Sequence, residues 1–192
     1  MNQINLESYQ YFLVVDLEAT CSDIKEVPRQ EMEIIEIGAV MVEAKNLDIV
    51  SEFQAFIKPV RHPLLTNFCT KLTSITQEQV NKAPTYREAI ENFKSWLYQY
   101  PNFIFGSWGN YDYKQFQQDS NFHQVPYPIR SQHINLKQLF SSNQKLKQRY
   151  GMAQALELAK IKLEGTHHRG IDDARNIAKL LPYILGKKII KT

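Results

Sequence analysis

The segment Tyr11–Cys21 reads YFLVVDLEATC and decides the fold. Phe12, Leu13, Val14 and Val15 form an unbroken apolar run with two β-branched members, which suits a strand covered on both faces better than one side of a hairpin. Two carboxylates end the run. Side chains alternate along a strand, so Asp16 and Glu18 project from one face and Leu17 from the other. Like charges on one face beside a core are unfavourable unless something offsets them, and a divalent cation held by oxygen ligands is the usual species. The plainer reading is an acidic pair at the point where a strand leaves the core, and this short motif leaves both open.

The surrounding chain has 192 residues, 43% of them hydrophobic and only 7 of them glycine. That is enough for one sizeable core and predicts a single α/β domain over residues 1–192. The opening MNQINLESYQ lacks the apolar centre of a signal peptide, and no run reaches transmembrane length. A soluble cytoplasmic protein with no membrane partner is the expectation. Cys21 and Cys69 are the only 2 cysteines and have no zinc-site spacing, so reduced thiols are expected. A net charge of +3 permits nucleic-acid binding without arguing for it.

Beyond the first strand, Ser22–Glu33 (SDIKEVPRQEME) is polar and broken by Pro28, a loop that starts at the carboxylate pair and so borders it. Ile34–Val42 and Phe53–Pro59 read as second and third strands of an antiparallel meander. Glu36, inside the second strand, is read as structural, with a role behind the acids as the alternative. Phe68, Leu72 and Ile75 recur at i, i+4 and i+7 and predict a core-facing stripe, the alternative being a surface that stacks on a base. Thr76 with Gln79 and Thr85 with Glu88 have the spacing of capping boxes. Tyr86, Ile90, Phe93 and Leu97 then give the helical face of a segment closed by Pro101.

Phe103–Trp108 is a short strand running into Gly109, Asn110, Tyr111 and Asp112. Asp112 reads as a helix cap. If its strand runs parallel to the first, it also sits at the sheet edge of Asp16, where open α/β sheets bind ligands. Ser131–Asn135 is a fifth strand, followed by helices from Leu136 and over Met152–Lys160. In the last helix Asp173 shares a face with Ile177, Leu180 and Ile184, whereas Asp172 shares one with Asn176, Lys179 and Tyr183. The Asp172 face therefore looks outward and Asp173 inward, and an inward carboxylate is costly unless it is paired or bound to a cation. His168 precedes it at a fixed spacing, and His167 reads as exposed.

Four strings now stand in order: D-L-E-A-T-C from Asp16, N-F-C-x-x-L-T-x-I from Asn67, S-W-G-x-x-D from Ser107 and E-G-T-H-H-R-G-I-D-D-A-R-N-I-A from Glu164. Over about Tyr11–Leu185 the chain resembles the DEDDh class of 3′-to-5′ exonucleases, most closely the Eri-type, KapD-like branch related to the histone mRNA 3′-exonuclease. The resemblance implies an α/β, RNase H-like fold, a five-stranded mixed sheet flanked by helices on both faces. It also implies that Asp16, Glu18, Asp112 and Asp173 ligate metal and that His168 is the general base. Ser74 stands where the family's helix-entry motif often has Gly, and Asn135 where many relatives have Asp.

The implied activity is 3′-to-5′ hydrolysis of phosphodiester bonds at single-stranded RNA or DNA 3′ ends, RNA favoured, releasing nucleoside 5′-monophosphates. Two divalent ions about 4 Å apart can activate water, neutralise the phosphate and support the departing oxygen. Four carboxylates suit Mg²⁺ or Mn²⁺ rather than zinc. Asp16 would bridge both ions, Glu18 and Asp173 hold the one that activates water, and Asp112 support the other. His168 would take the proton, as suits a group with an unperturbed pKa of about 6.5. Glu18, the Leu17–Ala19 backbone and the Phe68/Leu72 surface, with His168, are candidates for contacting the 3′-terminal nucleotide. Lys145, Lys147 and Arg149, or Lys187, Lys188 and Lys191, read as solvated charge or as phosphate-tracking groups. Competing readings are a non-catalytic RNase H-like module that binds nucleic acid or protein, and a D-x-D-x-T phosphatase, from which Glu18 departs. Oligomeric state is not legible.

Overall fold

The computed structural model describes residues 5–190, so Lys191 of the basic tail lies outside the described residues. Five strands, β1 (Tyr11–Ala19), β2 (Ile34–Glu43), β3 (Ile49–Phe56), β4 (Phe103–Ser107) and β5 (His133–Asn135), form one mixed sheet in the order β3-β2-β1-β4-β5. The first three make the expected antiparallel meander. β4 and β5 add in parallel on the other side of β1, which requires crossovers, and the helices supply them.

Alternation along β1 divides the core. Phe12 and Val14 pack with Val40, Val42, Phe140, Leu156 and Ile177, beneath α5 (Leu136–Asn143), α6 (Met152–Leu158), α7 (Gly170–Lys179) and α8 (Leu181–Ile184). Leu13, Val15 and Leu17 pack on the opposite face with Ile90, Phe93 and Phe116, from α3 (Tyr86–Leu97) and α4 (Tyr111–Phe122). Each such fully buried side chain contributes about 1.5–3 kcal/mol. The strand is covered on both faces because its run of four apolar residues has no solvent side to offer. Its carboxylates continue the Phe12/Val14 face, toward α7.

Both capping boxes form: Thr76 with Gln79 opens α2 (Gln77–Lys82), and Thr85 with Glu88 opens α3. The stripe expected at Phe68, Leu72 and Ile75 does not. α1 (Asn67–Thr73) ends at Ser74, whose φ of 59° is left-handed, so Ile75 lies beyond the helix. The buried face is Cys69 and Thr73, while Phe68 is 36% exposed. Thr73 is tolerated inside because its hydroxyl donates to the Cys69 carbonyl at 2.9 Å, a satisfaction that hydrophobic periodicity does not register. Asn176 also departs from its expected outward place. It is fully buried, its amide donating to the Glu164 carbonyl at 2.8 Å and accepting from the Glu164 N–H at 3.1 Å.

Candidate active site

Three chain segments meet at the carboxyl end of β1. The pairing of β1 with β2 shifts register between Glu18 and Ala19, so regular pairing ends at the second acid. β4 runs parallel to β1 and hands the chain to α4 at the same edge, placing Asp112 in the first turn of that helix. Asp112 Oδ1 accepts the Leu17 N–H at 3.0 Å, tying it to the backbone between the two β1 acids. The third segment is the start of α7.

Glycine permits that third approach. Gly38 lies opposite Asp16 in the β1–β2 register, and a Cβ there would collide with the Gly170 carbonyl carbon. A Cβ on Gly170 would in turn sit 2.9 Å from the Asp16 carbonyl oxygen. Two facing glycines thus seat α7 directly on the sheet, and Asp173, one turn along, comes down beside β1. Carboxylate oxygens of Asp16, Glu18 and Asp173 all lie within 4.8 Å of one another. Asp112 is not in that tight group, because its carboxylate is turned to Leu17.

Among the described residues neither Asp16 nor Glu18 is paired with a basic side chain, while Asp173 has the His167 ring at 2.9 Å. Burial, then the Asp112, Glu18, Asp173 and Glu36 carboxylates, push Asp16 well above the usual range. Burial, with Asp173 and Glu36 as the next causes, pushes Glu18 up to about 9. Asp112 rises to about 6 through burial, restrained by the Leu17 N–H. Buried acids whose strongest neighbours are other acids fit a site for divalent cations, and an all-oxygen set suits hard ions.

Glu36 is fully buried but compensated. Its carboxylate accepts from Arg169 Nε at 3.1 Å, the Gly170 N–H at 3.1 Å and Gln54 Nε2 at 2.7 Å. It therefore anchors the start of α7 to β2, which combines the structural and supporting roles considered for it. His168 sits just before the helix with φ 64°, and its N–H donates to Asp173 Oδ2 at 3.0 Å. Burial and the adjacent His167 hold the His168 pKa below its ordinary value. His167 is exposed as expected, yet its Nδ1 lies 2.9 Å from Asp173 Oδ2 and its ring stacks on His168 at 4.0 Å. Only the pairing of adjacent histidines ahead of an inward Asp hinted at that contact.

Phe68 and Leu72 lie on α1, whose N-cap Thr66 hydroxyl donates to the Cys21 carbonyl at 2.6 Å, so the helix is tied to the chain leaving β1. The Leu17 and Ala19 side chains are buried. The Leu17 N–H is bonded to Asp112, and the Ala19 carbonyl faces Cys69 Sγ at 3.7 Å. Both thiols are free. Lys145, Lys147, Arg149, Lys187 and Lys188 are exposed. One contact beside Asp112 escaped the sequence reading: Arg29, from the polar loop, lies over the ring of Tyr111, the residue before Asp112. Their contact crosses more than eighty residues, and no periodicity signals it.

The sequence profile of the exonuclease family, RNase T type, matches residues 13–181. The chain is 33% identical over 184 residues to ERI1 exoribonuclease 3 of Mus musculus, covering 91% of this chain and 53% of that protein. It is 29% identical over 181 residues to 3′-5′ exoribonuclease 1 of Homo sapiens, covering 90% and 51%. It thus spans about half the length of the exoribonucleases it matches. Among solved structures it is similar to the nuclease domain of 3′hExo, a DEDDh family member bound to rAMP, with a TM-score of 0.82, 27% identity and 93% of each chain covered. A 3′-exonuclease recognising the 3′ end of a histone mRNA stem-loop gives a TM-score of 0.86 at 26% identity, covering 93% of this chain and 64% of that one. The five-stranded mixed sheet expected from the RNase H-like resemblance is therefore the observed fold.

Proposed function

The chain belongs to the exonuclease family, and from that premise we propose that it removes nucleotides from the 3′ ends of single-stranded nucleic acid, RNA before DNA, as nucleoside 5′-monophosphates. The observation that carries this reading is the meeting of Asp16, Glu18 and Asp173 within 4.8 Å, from opposite ends of the chain. The exoribonuclease names of the relatives support RNA as the substrate.

In this reading Asp16, Glu18, Asp112 and Asp173 hold two divalent cations, Mg²⁺ or Mn²⁺. Such ions supply a nucleophilic water at neutral pH and neutralise phosphate charge. Asp112 keeps the Leu17 backbone fixed between the two β1 acids. His168 takes the proton of the attacking water. Its ring makes no hydrogen bond among the described residues, so a ring nitrogen is available as acceptor. Phe68, exposed on α1, and half-buried Leu72 offer apolar surface for the terminal base.

Digestion of end-labelled RNA oligonucleotides tests the reading. A linear strand with a free 3′-OH should yield mononucleotides, a 3′-phosphorylated strand should be cut far more slowly, and a circular strand should survive. Equal loss of the circle would make the protein an endonuclease. For the base, His168→Asn is the cleaner variant, because Asn tolerates the left-handed backbone that His168 occupies. It should lose about 10²–10⁴-fold in turnover. Unchanged turnover removes His168 from the chemistry.

A further inference from the structure

We propose that Arg29, stacked on Tyr111, is a phosphate-binding subsite that grips the backbone of the substrate strand beside the carboxylate centre. The inference rests on the nuclease reading above. Divalent cations on the acids neutralise the phosphate at the bond that breaks, whereas the neighbouring phosphates of the strand are left for protein cations to hold. The nearby arginines differ sharply in what they have left to give. Arg169 is committed to buried Glu36, and Arg175 is paired with both Glu52 and Asp172. Arg29 is exposed, and among the described residues it pairs with no carboxylate.

Its place is specific. The guanidinium carbon lies 4.3 Å from the centroid of the Tyr111 ring, and Nη1 donates to Gln115 Oε1 at 2.6 Å. Tyr111 is the first residue of α4 and directly precedes Asp112, so the ring beneath the guanidinium is next in the chain to one of the acids. The ring and Gln115 hold the guanidinium plane, while Nε and Nη2 are left without protein partners among the described residues. A planar fork with a free edge matches two oxygens of a phosphate.

The loop that carries it is pinned. Gln115 and Gln118 donate to the Met32 carbonyl at 2.8 and 2.7 Å, and the Val27 N–H donates to Ser22 Oγ at 3.1 Å, with Val27 buried. Arg29 is therefore offered from a fixed position, which lowers the ordering cost when a strand binds.

The test is steady-state digestion of a single-stranded RNA oligonucleotide by the whole chain at several salt concentrations. Wild type, Arg29→Gln, Arg29→Lys and Arg130→Gln are compared, the last being an exposed arginine near Tyr98. Arg29→Gln should raise KM about tenfold with kcat within about twofold, as expected for losing a charged hydrogen bond made equally in ground and transition states. The slope of log kcat/KM against log salt should become shallower by about 0.7, one phosphate contact on a single strand. Arg29→Lys should keep the slope and recover part of KM, and it carries the test if the Gln variant does not fold. Wild-type KM and slope in Arg29→Gln, or equal losses in Arg130→Gln, overturn the subsite alone. Failure of the wild type to digest RNA overturns the nuclease reading and the subsite with it.

Discussion

Ser74 closes α1 with φ 59° at the position where the family pattern often has glycine. A left-handed residue with a Cβ costs about 1–2 kcal/mol relative to glycine. Ser74 is exposed, and its backbone N–H, not its side chain, makes the closing bond to Thr70. Ser74→Gly should therefore raise the melting temperature by about 2–4 °C, the shift expected from about 1 kcal/mol in a chain of this size. A lower melting temperature would show that the hydroxyl, rather than the backbone, sets stability there. Glu18 makes the opposite point about charge. It titrates near 9 in the folded protein without metal, against an ordinary 4.5. The folded state then holds the extra proton between those values, so metal-free stability falls as pH rises from about 4.5 to about 9. Asp112, raised from 3.8 to about 6, adds to the fall in the lower part of that window. A cation that favours the charged carboxylates removes the loss, so melting temperatures at pH 8 should rise with Mn²⁺ far more than at pH 5. Equal rises at the two pH values would contradict a cation site built from these acids.

Among elements, the contact that matters most is the seat of α7 on β2. The facing glycines, Gly38 and Gly170, leave no room for a methyl group, since the nearest atoms to a Cβ on Gly38 are backbone of α7 that cannot turn aside. Gly38→Ala should lift the helix, carry Asp173 away from Asp16 and Glu18, and abolish cation binding or folding. Gly106→Ala is the fair comparison, because the atoms nearest a Cβ there belong to the Leu136 side chain rather than to backbone. It should cost about 1–3 kcal/mol while leaving the site intact. A Gly38→Ala protein with wild-type melting and Mn²⁺ affinity would show that the seat is looser than the backbone suggests. The same elements show why some of the structure was legible in the sequence. The buried strand with its two acids, the capping boxes and the inward Asp173 are local patterns with one period each. The reversed phase of α1 and the burial of Asn176 depend on partners elsewhere, a threonine hydroxyl satisfied inside the helix and the Glu164 backbone. The Arg29–Tyr111 contact is likewise made only by the packed fold.

For the whole molecule, the sheet order brings the first strand, the fourth strand and the last long helix to one edge, so the site closes only when both ends of the chain are folded. On the proposed reading a cation would bind only the folded state, and a ligand that binds only the folded state stabilises all of it. Calorimetric titration with Mn²⁺ of the wild type and of Asp16→Asn tests the central claim most directly. Saturable binding in the wild type, lost in the variant although it stays folded, is the predicted result. Mn²⁺ binding of equal strength in both proteins, or none in either, would contradict a cation centre built on Asp16, Glu18 and Asp173.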